Sequence, residues 1–238
     1  MFMFAAVEVN NLYKSFGKKQ VLCGINIEIK PNEIFGLIGP NGAGKTTTLR
    51  ILATILQPDS GEVKIFDHDV VESPSSVRKI MTYLPEDAGA YKNLTGYEFL
   101  AFIASFYDNQ KDILELGVEL SQLGPALYER TATYSKGMLR RLLVARTLMV
   151  RPKLAILDEP TSGLDVINAL EIRNVIKRFA KEGTTILLSS HNMLEVEYVC
   201  DRIALIHKGR IIETGTPHEL KSRYNAENIE EVFMKCLH

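Results

Sequence analysis

The sequence predicts an α/β fold: a mainly parallel sheet built around a phosphate-binding loop, with an antiparallel β-region before it and an all-helical insertion within it. Three observations lead there. First, the short apolar run Ile34-Phe-Gly-Leu-Ile38 is followed at once by Gly39-Pro-Asn-Gly-Ala-Gly-Lys-Thr-Thr47. A helical pattern then places Leu49, Leu52 and Leu56 on one side. Second, Leu154-Ala-Ile-Leu157 and the stretch from Thr185 to Ser189 read as buried strands. Between them lies a helix with Ile172, Val175, Ile176 and Phe179 inward, the strand–helix–strand order of a crossover between parallel strands. Third, residues 89–150 carry helical periodicities and no strand pattern.

The elements follow in order. Met1-Phe-Met-Phe-Ala-Ala6 lacks a basic flank and runs straight into alternating Val7 and Val9, so it reads as the start of a strand and not as a signal peptide. A turn at Gly17-Lys18-Lys19 leads to Ile25, Ile27 and Ile29 in strict alternation, an antiparallel partner. Pro31-Asn32 turns the chain into the strand that carries the loop, and Gly61 to Phe66 and Met81 to Leu84 are further strands. Thr95 and Glu98 form a capping box opening a helix whose Phe99, Phe102, Ile103 and Phe106 share one face. Ile113, Leu116, Gly117 and Leu120 repeat that spacing. A third helix, capped by Ser135, runs to about Val150. After the second crossover strand, Ile203 to His207 and Arg210 to Glu213 form a hairpin around Lys208-Gly209. Thr216, Pro217 and Glu219 combine a capping box with proline at the first helical position. The last helix places Ile229, Val232, Phe233 and Cys236 on one face. The expected organisation is one domain over 1–238, with a core from 1–88 and 151–238 and a helical subdomain over 89–150.

Composition narrows the function classes. With 46% apolar and 24% charged residues, the chain has the balance of a globular protein and not of a disordered one. A net charge of −1 gives no electrostatic case for binding nucleic acid or an anionic membrane surface. Cys23, Cys200 and Cys236 are an odd, widely spaced set without metal-like pairing, as suits a reducing cytosol. No apolar stretch approaches the length of a membrane span, so a membrane role must come through a partner.

The loop carries the first chemical signal. Gly39, Gly44, Lys45 and Thr46 occupy the fixed places of G-x-x-x-x-G-K-[ST], and Pro40, Asn41, Gly42, Ala43 and Thr47 complete the cradle. Glycines let successive N–H groups turn inward on phosphate oxygens, and the following helix N-terminus adds partial positive charge. Lys45 can reach the outer phosphates, and the Thr46 hydroxyl is a hard oxygen suited to Mg²⁺. The chain is expected to bind a nucleoside triphosphate. Asp158 and Glu159 stand at the C-terminal end of an apolar strand, where open α/β sheets place ligands. Asp158 is placed to hold Mg²⁺, and Glu159 to take a proton from an attacking water. His191 follows the next buried strand; a lone histidine is more often a structural hydrogen-bonder, but its place beside the other strand ends favours a chemical role.

Gly39–Thr46, Tyr134-Ser-Lys-Gly-Met138, Leu154–Glu159, Ser162-Gly-Leu-Asp165 and His191 together resemble an ATP-binding cassette (ABC) ATPase over nearly the whole chain. The resemblance implies a P-loop NTPase core, ATP and Mg²⁺ as ligands, and two cassettes closing head to tail over two nucleotides. Ser135 and Gly137 match the signature motif, which in the family contacts the γ-phosphate bound by the opposite subunit. Asp165 matches the loop that crosses the dimer interface. His191 matches the histidine that orients the attacking water. Phe16 matches the aromatic that stacks on adenine, with Tyr13 as the other candidate and core packing as the alternative use of either ring.

Two departures stand out. The family's Leu-Ser-Gly-Gly-Gln is here Tyr134-Ser-Lys-Gly-Met138, and its glutamine after the Tyr83-Leu-Pro85 strand is Glu86. A carboxylate at Glu86 can still ligate Mg²⁺ or position water, while adding negative charge near the γ-phosphate. Both features resemble the export-type cassettes that serve a separate membrane permease. The partners implied are that permease and a second cassette, with no nucleic acid, at the cytoplasmic face of the membrane. The rival readings are a soluble cassette ATPase and a nucleotide-sensing adaptor that hardly hydrolyses ATP.

Overall fold

Alternating apolar residues build the first ribbon. β1 (Val7–Phe16) and β2 (Lys19–Ile29) pair antiparallel, with Val7 opposite Ile29 and Phe16 opposite Lys19. The structure is a computed structural model that describes residues 5–237. Met1 to Phe4, where the expected first strand begins, lie outside the described residues. β3 (Ile34–Ile38) is buried along its whole length and feeds, through the glycine-rich loop, into α1 (Lys45–Leu52). β4 (Ser60–Ile65) and β5 (His68–Asp69) extend the ribbon to a four-stranded antiparallel sheet in the order β2-β1-β4-β5.

α2 (Pro74–Ile80) leads into β6 (Met81–Leu84), and three helices follow: α3 (Gly96–Ala104), α4 (Gln110–Ser121) and α5 (Lys136–Leu148). The chain then alternates again through β7 (Leu154–Asp158), α6 (Val166–Lys181), β8 (Thr185–Ser190), α7 (Met193–Val196) and β9 (Arg202–His207). It finishes with β10 (Arg210–Gly215), α8 (Pro217–Tyr224) and α9 (Ile229–Cys236). The second sheet has the order β10-β9-β3-β8-β7-β6. All its pairs are parallel except the β9–β10 hairpin.

Successive residues on the parallel strands face opposite sides. Phe35, Leu37, Leu154, Ile156, Ala204 and Ile206 pack with α1 and the antiparallel sheet. Ile34, Ile38, Ala155, Leu157, Ile203 and Leu205 pack with the helices on the other face. Both faces are covered, which is why these strands read as continuous apolar runs. The three-helix segment joins the cluster on that second face through Leu142 and Leu143 of α5, with Leu84 of β6.

Both expected capping boxes form. Glu98 N–H donates to Thr95 Oγ1 at 3.1 Å while Thr95 N–H donates to Glu98 Oε2 at 2.8 Å, and Thr216 and Glu219 repeat the arrangement. The expected aromatic face of α3 needs correction. Phe99 is buried together with Leu100 and Ala104, but Phe102 is 42% exposed and Phe106, beyond the last helical residue, is 68% exposed. α4 and α5 approach α3 on the Phe99–Leu100–Ala104 side. Phe102 and Phe106 instead join Tyr91 in an edge-to-face ladder, with centroid distances of 5.8 Å for Tyr91–Phe102 and 5.1 Å for Phe102–Phe106.

Candidate functional site

Strand order assembles the site. β3, β8 and β7 are neighbours and parallel, with Ile38 opposite Ser190 and Asp158 opposite Ser189. Their C-terminal ends therefore deliver Gly39, His191 and Asp158-Glu159 to one edge of the sheet. β6, next to β7, adds Glu86. A cleft on that edge is lined by Asn41, Gly42, Gly44, Lys45, Thr46, Thr47, Glu86 and Glu159, with Lys19 and Val21 from β2.

Gly39 must be glycine. A Cβ there would lie 2.2 Å from the carbonyl oxygen of Ile206, so the loop can cross β9 only without a side chain. Lys45 lies along the loop and is only 6% exposed. Its ammonium donates to Gly39 O at 2.8 Å and stands 3.5 Å from Glu159 Oε1. Glu159 is equally hidden, and its other oxygen lies 2.9 Å from His191 Nδ1. Lysine, glutamate and histidine thus form a continuous polar chain under the loop. Ala43 is buried in the loop floor, while Pro40 is partly exposed and Asn41 and Gly42 face outward.

Asp158 is fully buried. Ser189 Oγ donates to its Oδ1 at 2.5 Å and also accepts the Glu159 N–H at 3.0 Å. The Tyr83 hydroxyl stands 3.5 Å from Oδ2. Burial, then the neighbouring Asp158 carboxylate, push the Tyr83 phenol up to about 12, so it stays a protonated donor. The oxygen donors fit Mg²⁺: a carboxylate at Asp158, a hydroxyl at Thr46 and a second carboxylate at Glu86. Among the described residues no group of three or more His, Cys, Asp or Glu side chains could hold a metal unaided. Few protein ligands, completed by phosphate oxygens, is the usual Mg²⁺ arrangement.

Not every expected residue lies in this cleft. Ser135 caps α5, its Oγ accepting the Met138 N–H at 3.2 Å, and remains exposed. Gly137 lets α5 approach α6, since a Cβ there would meet the Asn168 side chain at 2.7 Å. Neither lines the cleft with the loop. Asp165 caps α6 by accepting the Asn168 N–H at 3.0 Å. Phe16 ends β1 and is 50% exposed, with Lys14 Nζ 5.8 Å from its ring centroid; its partner Lys19 lines the cleft and Phe16 does not. Tyr13 packs its hydroxyl over Gly24.

Two contributors were missed from the sequence. Ser189 holds both carboxylate positions, and Arg140 on α5 donates to main-chain carbonyls on either side of Glu159. Arg140 lies on the buried side of its helix with Gly137 and Val144. That charge on an apolar face was the available signal, though the adjacent Arg141 obscured which of the two turned inward.

A family model described as ABC transporter matches residues 22–162. The daunorubicin/doxorubicin resistance ATP-binding protein of Streptomyces peucetius is 37% identical over 222 residues, covering 91% of this chain and 67% of that protein. A lantibiotic transport ATP-binding protein of Streptococcus pyogenes is 38% identical over 231 residues, covering 95% of each. Among solved structures, an ATP-binding subunit of an ABC transporter superposes with a TM-score of 0.88 at 26% identity, covering 98% of this chain and all of that one.

Proposed function

This chain belongs to the ABC transporter family as an ATP-binding subunit, and from that premise we propose that it hydrolyses ATP to drive a separate membrane permease, in the direction of export. The observation that carries the reading is the polar chain Lys45–Glu159–His191, 3.5 Å and 2.9 Å long in its two links, beneath a phosphate loop. The loop amides and the α1 N-terminus bind the phosphates. Lys45, lying along the loop, transfers its ammonium from the Gly39 carbonyl to the outer phosphates. Glu159 accepts the proton of the attacking water, and His191 holds the Glu159 carboxylate while its ring orients that water. Thr46, Asp158 and Glu86 would hold Mg²⁺, which would supply neutralising charge on the phosphate oxygens.

Ser135 and Gly137 stand outside the cleft in the first turn of α5, where Ser135 is exposed and Gly137 is buried, a position that supports their serving the nucleotide of a second cassette. Head-to-tail closure of two chains over two ATP molecules would complete each site. No helix among the described residues is long and apolar enough to cross a membrane, which suits attachment at the cytoplasmic face through the permease. Relatives named for drug resistance and lantibiotic transport support export as the direction.

The test is steady-state ATP hydrolysis by the purified chain, with Glu159→Gln beside it. Turnover in the wild type and its loss in the variant, with ATP still bound, are expected. A chain that binds ATP without turnover would return the reading to a nucleotide-sensing adaptor. Affinity purification from native membranes should recover a protein with several membrane spans, and its absence would remove the permease.

A further inference from the structure

Arg140 is a charged side chain only 8% exposed, and among the described residues it engages no carboxylate in a hydrogen bond. Its guanidinium instead meets five main-chain carbonyls. Nε donates to Pro160 O at 3.0 Å. Nη2 donates to Asp158 O at 2.6 Å and Glu159 O at 2.7 Å. Nη1 donates to Pro85 O at 3.2 Å and Glu86 O at 3.3 Å. All the N–H groups a guanidinium possesses are thus directed at two loops, the one carrying Glu159 and the one carrying Glu86.

Those loops need holding. Glu159 has φ +50°, left-handed backbone that a residue with a Cβ rarely adopts. We propose that Arg140 is a positioning residue for hydrolysis, fixing the main chain of Glu159 and Glu86 so that both carboxylates face the phosphate loop. This rests on Glu159 acting as the base in the proposed ATPase. Arg140 also lies one helical turn beyond Gly137, so it links the Ser135 end of α5 to the base of the other half-site. Lysine cannot substitute, because three donors on one nitrogen do not span five carbonyls.

The experiment compares wild type, Arg140→Lys, Arg140→Ala and Glu159→Gln as purified full chains. Turnover, ATP affinity and melting temperature are measured for each. Both Arg140 variants should lose about 100-fold in kcat, the scale of a small misplacement of catalytic groups, with KM for ATP within about twofold. Methylguanidinium should restore part of the turnover of Arg140→Ala and none of Glu159→Gln. The cavity bordering Arg140, shared with Glu86, Lys136 and Ser162, gives it access. An Arg140→Lys chain that keeps wild-type kcat overturns the proposal, as does a loss of ATP affinity equal to the loss of kcat. Should Arg140→Ala fail to fold, Arg140→Lys decides on the same criteria. A wild type without turnover overturns the ATPase reading and this proposal together; an active wild type with active Arg140 variants overturns this proposal alone.

Discussion

Replacing Lys45 by methionine keeps most of the side-chain stem and removes the charge, so it measures what the ammonium does for the nucleotide-free chain. Lys45 and Glu159 are 6% and 5% exposed and 3.5 Å apart. At that separation and an effective dielectric near 20, their attraction is about 5 kcal/mol before desolvation. Taking both ions out of water removes much of this, and the half-exposed His191 shares the Glu159 carboxylate, leaving roughly 2 kcal/mol of net coupling. Lys45→Met leaves a buried carboxylate and an unpaired Gly39 carbonyl, so it should destabilise the chain by about 2–3 kcal/mol. That corresponds to a fall in melting temperature of about 4–12 °C for a domain of this size. Glu159→Gln should cost less, since the lysine keeps its loop carbonyls, and the double variant should be more stable than the two single losses added together. Urea unfolding of the four chains without nucleotide gives the cycle. Additivity within about 0.5 kcal/mol would refute an energetic link between loop lysine and carboxylate.

Gly39→Ala should give little soluble chain, or one destabilised by about 3 kcal/mol in urea, because backbone stands on both sides of the 2.2 Å approach to Ile206 O. Ser135→Arg chains mixed with Glu159→Gln chains should show defects that combine across subunits; defects confined to each subunit's own site would remove the shared-site reading. Glu98 is held below its ordinary 4.5, chiefly by the Thr95 N–H, so its contribution is present above that pH and lost as pH falls through the lower folded value. Melting curves of Glu98→Gln against wild type should therefore converge in acid, and a constant gap from neutral pH downward would contradict the cap.

Most of the fold was legible because both sheets obey short-range rules. Val7, Val9 and Ile25 to Ile29 alternate because one face of the ribbon is buried, and Leu154 to Leu157 do not because both faces are. The phosphate loop was legible because its residue types are dictated by backbone approach, as the Gly39–Ile206 contact demonstrates. The face of α3 was not. Periodicity places Phe99, Phe102 and Phe106 on neighbouring sides of a helix, but which side is covered depends on where α4 and α5 lie, and that is tertiary. Ser189 and Arg140 escaped for the same reason. Ser189 touches residues about thirty positions earlier in the chain, and Arg140 meets carbonyls as far as Pro85.

Several departures from local rules meet at the site. Glu159 takes a left-handed backbone that its residue type disfavours, and Lys45, Asp158 and Arg140 are charges held almost out of water. Each departure is compensated by a neighbour from another element. Ser189 Oγ accepts the Glu159 N–H and donates a hydrogen bond to Asp158, Lys45 caps the loop carbonyl, and Arg140 collects the carbonyls of residues 158, 159 and 160. Four segments far apart in sequence must therefore be in register before the Glu159 carboxylate can point at the loop. A displacement of α5 relative to the parallel sheet would pull on that carboxylate through Arg140 before it disturbed Lys45, whose hydrogen bonds are to the loop itself. On the proposed reading, nucleotide binding and nucleotide hydrolysis would depend on different parts of the fold, the first on the loop after β3 and the second on the junction of α5 with β6 and β7.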